Sequence, residues 1–114
     1  MNFDLETHGA VTVVAPRSNV LGGPDGADLH EYIHQQEQEG LRRVVVDLSR
    51  VQLMNSSGLG MLVSALTTLR NVGGDLRLAS VSERIQSLFV ITRLATVFKS
   101  YPTADEAVAS FEVA

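Results

Sequence analysis

The sequence predicts one α/β domain over residues 1–114, with a mixed, mostly parallel sheet of four to five strands and about four helices. Strand-like and helix-like segments alternate in the order ββαβαβα(β)α, which requires right-handed crossovers and leaves the first hairpin as an antiparallel edge. Residues 44–46 are three consecutive valines, a pattern typical of a central strand covered on both faces. Of the 114 residues, 45% are hydrophobic, enough for one core and too few for two.

The first half of the chain is expected to form a hairpin, a helix and the central strand. Residues 3–6 alternate apolar and acidic side chains, and a His-Gly turn at residues 8–9 precedes a valine-rich second strand at residues 11–14. A helix should then extend over residues 24–39, with a proline in its first turn and a glycine just after its end. The valine strand covers residues 41–48.

The second half of the chain is expected to contain two further crossovers. A helix is predicted over residues 57–72, because five apolar residues share an arc of roughly 120° at about 100° per residue: Leu59, Leu62, Val63, Leu66 and Leu69. A strand follows at residues 76–79, and Ser82 is placed to cap a third helix. Residues 97–98 suggest a short edge strand, and residues 103–106 fit a capping box that opens a last helix.

Charge and composition exclude several classes of function. Nine basic and thirteen acidic residues give a net charge of −4, which disfavours nucleic acid and anionic membrane surfaces as partners. The chain has no cysteine, so disulfides and thiolate chemistry are excluded. Asp4 and Glu6 stand where a signal peptide would need basic residues, and the apolar runs, of about four residues, are far too short for a membrane span. We expect a cytoplasmic protein without a cofactor.

One enzyme motif needs to be weighed. Residues 30–34 read His-Glu-Tyr-Ile-His, the spacing with which two histidines on a helix bind zinc in metalloproteases. A catalytic zinc needs a third protein ligand, and the remaining histidine, His8, lies in a predicted turn. Glu37 or Asp47 could serve, but nothing in the pattern marks either of them. The motif is better explained as the solvated face of an amphipathic helix.

Other catalytic motifs are incomplete or absent. Gly58-Leu59-Gly60 opens a helix after a strand, but the third glycine of a dinucleotide-binding fingerprint would fall at Val63. The sequence contains no phosphate-binding loop, and the residues around Ser56 do not form the Gly-x-Ser-x-Gly elbow of serine hydrolases. We therefore predict a protein that is not an enzyme.

The segment of residues 44–60 carries the strongest functional signal. It leaves the carboxyl end of a central strand, where parallel α/β sheets place their sites. It then brings polar residues to the start of a helix, where Ser56 can be the N-cap, with Asn55 outside the helix and Ser57 in its first turn. For an isolated pair of serines, helix capping would be the simplest explanation.

This segment resembles the signature of the STAS family, named for sulfate transporters and anti-sigma-factor antagonists. In that family a strand ends in Asp-Leu-Ser-x-Val, an apolar pair follows, and Asp-Ser-Ser-Gly-Leu begins a helix. Here residues 47–51 read Asp-Leu-Ser-Arg-Val, residues 53–54 read Leu-Met, and residues 55–59 read Asn-Ser-Ser-Gly-Leu. The resemblance continues through residues 81–85 and covers nearly the whole chain in matching element order.

The resemblance implies a regulatory role and a set of site residues. Free-standing members of the family bind an anti-sigma factor that is also a serine kinase, and this binding releases the sigma factor. The kinase inactivates the antagonist by phosphorylating the first serine of the pair, here Ser56, and a PP2C-type phosphatase restores it. The predicted partner-binding residues are Asn19, Asn55, Ser57, Gly58 and Met61.

Two positions depart from the family pattern. Asn55 replaces the aspartate that precedes the serine pair, and residues 17–23 replace a short Gly-x-Leu/Ile-Asp turn. That loop, which contains Asn19, normally lies beside the phosphoacceptor.

Two alternatives stay open at this point. Met61 lies off the apolar arc of its helix, so it is either an adaptable partner contact or a filler of a gap against a neighbouring element. The chain could also be a stand-alone STAS subunit of an ABC lipid transporter or of a stress-sensing scaffold, which would use the same surface.

Overall fold

A computed structural model describes residues 3–17 and 23–112, and the side chains of all these residues except 23–30 and 112. The described residues form strands β1 (Phe3–His8), β2 (Val11–Pro16), β3 (Arg43–Asp47), β4 (Asp75–Ala79) and β5 (Ser100–Tyr101), and helices α1 (Gly23–Gln38), α2 (Ser56–Arg70), α3 (Glu83–Ile91) and α4 (Ala104–Glu112). The predicted element order and the predicted fold class are confirmed.

The strands form one mixed sheet in the order β1-β2-β3-β4-β5. β1 runs antiparallel to β2, with Phe3 opposite Pro16, whereas β2, β3, β4 and β5 are parallel to one another. Gly9 in the hairpin turn has φ +62°, a conformation that favours glycine. The connecting helices α1, α2 and α3 pack on one face of the sheet, as right-handed crossovers between strands added in one direction require. α4 covers the other face.

The core consists of two apolar clusters separated by the sheet. The three valines of β3 are fully buried: Val44 and Val46 face α1, α2 and α3, and Val45 faces α4. The larger cluster includes Ile33, Leu62, Leu66, Leu76, Leu78, Ile85 and Phe89, and the smaller one includes Val11, Val13, Ala79, Ala107 and Val108. The prediction of a central valine strand covered on both faces is confirmed.

The last strand lies in a different place from the predicted one. The sequence favoured Val97 and Phe98 as the edge strand, but Phe98 is buried and its ring stacks on Phe89 with 5.6 Å between centroids. The backbone pairs with β4 only beyond this point, where Ser80 donates its amide to the carbonyl of Tyr101 at 3.0 Å. This segment is hydrophobic because it packs into the core and not because it forms the edge strand. The predicted strand position was therefore wrong.

Side-chain caps begin two of the helices as predicted. The Ser82 hydroxyl accepts a hydrogen bond from the Ile85 amide at 3.3 Å, and the Thr103 hydroxyl accepts one from the Glu106 amide at 3.1 Å. Each cap satisfies one of the amides that a helix leaves unpaired in its first turn.

The turn between α2 and β4 brings two backbone segments into close contact. The Gly74 amide donates to the carbonyl of Leu69 at 2.8 Å, and the Asp75 amide donates to the carbonyl of Arg42 at 2.8 Å. A Cβ atom on Gly74 would lie 2.0 Å from that same Arg42 oxygen. This approach requires glycine at position 74.

Candidate functional site

The candidate site begins where the central strand ends, at the carboxyl edge of the parallel strands. The Asp47 carboxylate accepts a hydrogen bond from the Ser49 amide at 3.0 Å, and the Val51 amide donates to the carbonyl of Leu48 at 3.0 Å. Leu48 and Val51 are buried in the core and anchor the connection on both sides of this turn. The loop therefore delivers residue 55 to the start of α2 in a defined position.

Asn55, and not Ser56, is the N-cap of α2. The Asn55 side-chain oxygen accepts a hydrogen bond from the Gly58 amide at 2.8 Å, and the Asn55 carbonyl accepts one from the Leu59 amide at 2.9 Å. Its backbone is extended, with φ −101° and ψ 178°, as an N-cap requires. The prediction that Ser56 caps the helix was wrong, and Ser56 instead occupies the first helical position.

The serine pair is open to solvent at the positive end of the helix. Asn55, Ser56 and Ser57 are all exposed, and the first turn of α2 contains no acidic residue. The amides at a helix N-terminus and the helix dipole favour a negative charge placed there. Both serines are therefore accessible, and an anion at this position would be stabilised by the helix N-terminus.

Two predicted partner-binding residues lie below this surface. Gly58 and Met61 are buried, and Met61, 8% exposed, belongs to the larger core cluster. The buried residues of α2 span an arc of about 160° at 100° per residue, which is wider than predicted and includes Met61. This burial supports the gap-filling alternative for Met61. Asn19, the remaining predicted contact, lies outside the described residues.

An ion-pair cluster that the sequence did not reveal lies at the same edge of the sheet. Asp4 of β1 accepts a hydrogen bond from Arg17 Nε at 2.8 Å and another from Arg50 Nη2 at 2.7 Å. The two arginines follow the ends of β2 and β3, so a single carboxylate connects β1 to the loops after these two strands. Arg50 belongs to the connection that leads to Ser56.

We expect the Asp4 carboxyl to titrate near pH 2 in the folded protein. Hydrogen bonds from Arg17 first and Arg50 second stabilise its charged form and lower its pKa from 3.8 to about 2. The folded-state pKa is lowered, so these ion pairs contribute stability above about pH 4, and the contribution is lost as the pH falls through about 2. Carbon-detected NMR titration of the Asp4 carboxyl measures the midpoint.

The arginine variants test the cause of this shift. Arg17→Gln should raise the Asp4 midpoint toward 3.8, and Arg50→Gln should raise it by less, since Arg17 has the larger effect. A midpoint near 3.8 in the wild-type protein would contradict the ion pairs described here.

Replacing the N-cap should weaken α2 measurably. Asn55→Ala removes the acceptor for the Gly58 amide, and we expect it to lower the free energy of unfolding by about 1 kcal/mol. Asn55→Asp, which restores the residue typical of the family, should leave stability unchanged or slightly raised, because aspartate caps equally well and adds a negative charge. Urea denaturation followed by circular dichroism compares the three proteins, and equal stability of the alanine and wild-type proteins would argue against this cap.

The histidine motif lies on α1, outside the candidate site. Ile33 is buried, and the exposed His34 has its Nε2 atom 3.2 Å from Nε2 of Gln38. Among residues 3–17 and 23–112, the described side chains, which do not include those of residues 23–30 and 112, form no group of three histidine, cysteine or acidic side chains arranged to hold a metal ion. In that same part of the chain, no helix combines the length and apolarity needed to cross a membrane.

The fold and the site together define a class: a single mixed-sheet α/β domain that presents a pair of serines where the helix after its central strand begins. The STAS domain family profile matches residues 2–107. The chain therefore belongs to the STAS domain family, and the resemblance found in residues 44–60 is confirmed.

Two relatives are described as anti-sigma factor antagonists. BtrV of Bordetella bronchiseptica is provisionally described in this way. It is 28% identical to this chain over 102 residues, which cover 90% of this chain and 88% of BtrV. The anti-sigma-B factor antagonist of Staphylococcus aureus is 39% identical over 67 residues, or 59% of this chain and 62% of that protein. The second alignment therefore spans less than two thirds of either protein.

A solved relative shares the whole fold. The anti-sigma factor antagonist SpoIIAA of Bacillus, in its unphosphorylated form, gives a TM-score of 0.80 at 18% identity and covers 99% of this chain and 100% of its own. The phosphorylated form gives a TM-score of 0.76 at 20% identity and covers 96% of this chain and 99% of its own. At these identities the similarity establishes the fold alone.

Proposed function

We propose that this protein is an anti-sigma factor antagonist that acts by protein binding and is switched off by phosphorylation of Ser56. Its partner is an anti-sigma factor with serine kinase activity, and binding releases the sigma factor held by that partner. The observation that carries the proposal is the exposed Ser56-Ser57 pair at the start of α2. The descriptions of BtrV and of the Staphylococcus aureus relative support it.

The position of Ser56 suits a switch that changes the surface and leaves the fold intact. A phosphate adds about −1.5 to −2 charges at pH 7. It would lie at the positive end of α2, in a first turn that carries no other acidic group. The modified protein should therefore remain folded, whereas a partner that covers Ser56 would have to bury a dianion without a counter-charge. A PP2C-type phosphatase would reverse the modification.

Two variants of Ser56 test the proposal directly. Ser56→Ala cannot be phosphorylated and should capture the anti-sigma factor from native lysate, whereas Ser56→Asp carries a negative charge and should not. Mass spectrometry identifies the captured protein. The identified anti-sigma factor, purified in complex with its sigma factor, is then mixed with each variant. The alanine form should release free sigma factor on a sizing column, and the aspartate form should leave the complex intact.

Two outcomes would contradict the proposal. Capture of transporter or scaffold subunits, to equal extents by both variants, would keep the family assignment and exclude the switch. An anti-sigma factor that binds both variants equally would keep the antagonist role and exclude control through Ser56.

A further inference from the structure

An apolar groove of about 260 Å³ lies between α3 and the loop that leads to the serine pair. Leu53 and Met54 line it from the loop, and Leu88 and Ile91 line it from α3. Leu53 is 41% exposed and Ile91 78% exposed, so much of this apolar surface is open to water. Contiguous apolar surface of this kind marks an interaction site more often than a single exposed residue does.

A second row of side chains on α3 lies beside the stripe that packs in the core. Ile85 and Phe89, each 1% exposed, form the core stripe. At about 100° per residue, Arg84, Leu88 and Ile91 share an arc of about 60° beside that stripe. All three side chains line the groove. Leu88 is half-buried and also packs against the core, whereas Arg84 and Ile91 are exposed, so the outer part of this row is open to the groove.

Charge indicates what would occupy the groove. Arg84 is exposed, and no ion pair joins it to any residue in the described part of the chain. An apolar groove with an available guanidinium at its rim suits an amphipathic helix that carries an aliphatic side chain and, one turn away, a carboxylate. The groove also adjoins the candidate site, because Met54 is followed directly by Asn55 and Ser56.

We propose that the groove between α3 and the loop of residues 53–54 receives an amphipathic, acidic helix of the anti-sigma factor. The helix inserts an aliphatic side chain between Leu53 and Ile91 and places a carboxylate on Arg84. This inference rests on the proposed function, and it extends the binding surface from the serine pair to α3. It also gives the partner a contact that does not depend on the phosphorylation state of Ser56.

Neighbouring residues at the end of α3 provide a matched test. Ile91 lines the groove, whereas Val90, 60% exposed, does not and lies about 100° around the helix. Isothermal titration calorimetry with the purified anti-sigma factor measures the affinity of Ile91→Asp, Arg84→Glu and Val90→Asp. Ile91→Asp should bind at least about 30-fold more weakly and Arg84→Glu about 10-fold more weakly. Val90→Asp should stay within about 3-fold of the wild-type protein, and all three should melt at the wild-type temperature because these side chains are exposed.

Each other result has a definite meaning. Equal affinity of the Ile91→Asp and wild-type proteins would overturn the groove assignment and leave the proposed function standing. A dimer of the wild-type protein that Ile91→Asp converts to monomer, seen by sedimentation, would assign the groove to a second copy and overturn the proposal. Failure of the wild-type protein to bind any anti-sigma factor would overturn the proposed function, and this inference with it.

Discussion

Phosphoserine at position 56 is expected to weaken binding of the anti-sigma factor at least 100-fold, which corresponds to about 2.7 kcal/mol at 25 °C. Leaving a charge without a partner in an interface costs about 3–5 kcal/mol, so one phosphate is enough for this effect. Phosphoserine can be installed at this position during translation, and calorimetry with the purified partner then compares the modified and unmodified proteins. The melting temperature should be unchanged or raised by a few degrees, since the added charge lies at the N-terminus of α2.

A control variant on the same helix separates the effect of where the negative charge lies from the effect of net charge. Ser64 is an exposed residue of α2 about two turns beyond Ser56, so Ser64→Asp adds a negative charge away from the helix N-terminus. We expect its affinity to stay within about 3-fold of the wild-type value. Equal loss of affinity in the Ser64→Asp and phosphoserine proteins would show that the partner responds to net charge and not to Ser56.

Gly74→Ala is expected to produce a large loss of stability. Its Cβ atom would lie 2.0 Å from the Arg42 carbonyl oxygen, and this oxygen is held in place by the Asp75 amide. The backbone at the start of β3 or β4 would have to move, and we expect a loss of about 3 kcal/mol in the free energy of unfolding. The melting temperature should fall by roughly 10–15 °C. Urea and thermal denaturation followed by circular dichroism measure both quantities.

Gly60→Ala is the matched control for this substitution. Gly60 is an exposed residue of α2, and a Cβ atom there would meet nothing within 4 Å. Alanine is the better helix former by about 1 kcal/mol, so this variant should be slightly more stable than the wild-type protein. If Gly74→Ala lost less than about 0.5 kcal/mol, the close approach of the two backbones would not be a fixed feature of the fold.

The sheet could be predicted because its signals are local in the sequence. The valines at residues 44–46 indicated a buried strand, the alternation at residues 3–6 indicated a half-exposed one, and the glycine after His8 indicated the turn between the first two strands. Chirality of the crossovers then restricted the order of the strands. The edge strand was misplaced because residues 97–98 are apolar for a different reason, the packing of Phe98 on Phe89.

Details of the candidate site depended on geometry that the sequence does not contain. Asparagine and serine are both good N-caps, so propensity could not decide between Asn55 and Ser56. The deciding fact is the hydrogen bond from the Gly58 amide to the Asn55 side chain. Met61 lay off the predicted arc, and its burial in the larger core cluster became evident only from the structure.

The ion-pair cluster of Asp4 could not be predicted at all. Its partners lie 13 and 46 residues away in the sequence, at the ends of different strands. Charged residues at such separations give no periodic signal, and only the pairing of β1 with β2 and of β2 with β3 brings them together.

The position of β1 at the end of the sheet has a further consequence for how copies of this protein behave at high concentration. A six-residue outer strand could template strand-to-strand joining of two molecules. Here Asp4 is held by Arg17 and Arg50, and the same strand carries Glu6, so a second β1 aligned against it would meet charged side chains at both positions. Charged groups on this outer strand, both ion-paired and acidic, therefore disfavour edge-to-edge aggregation.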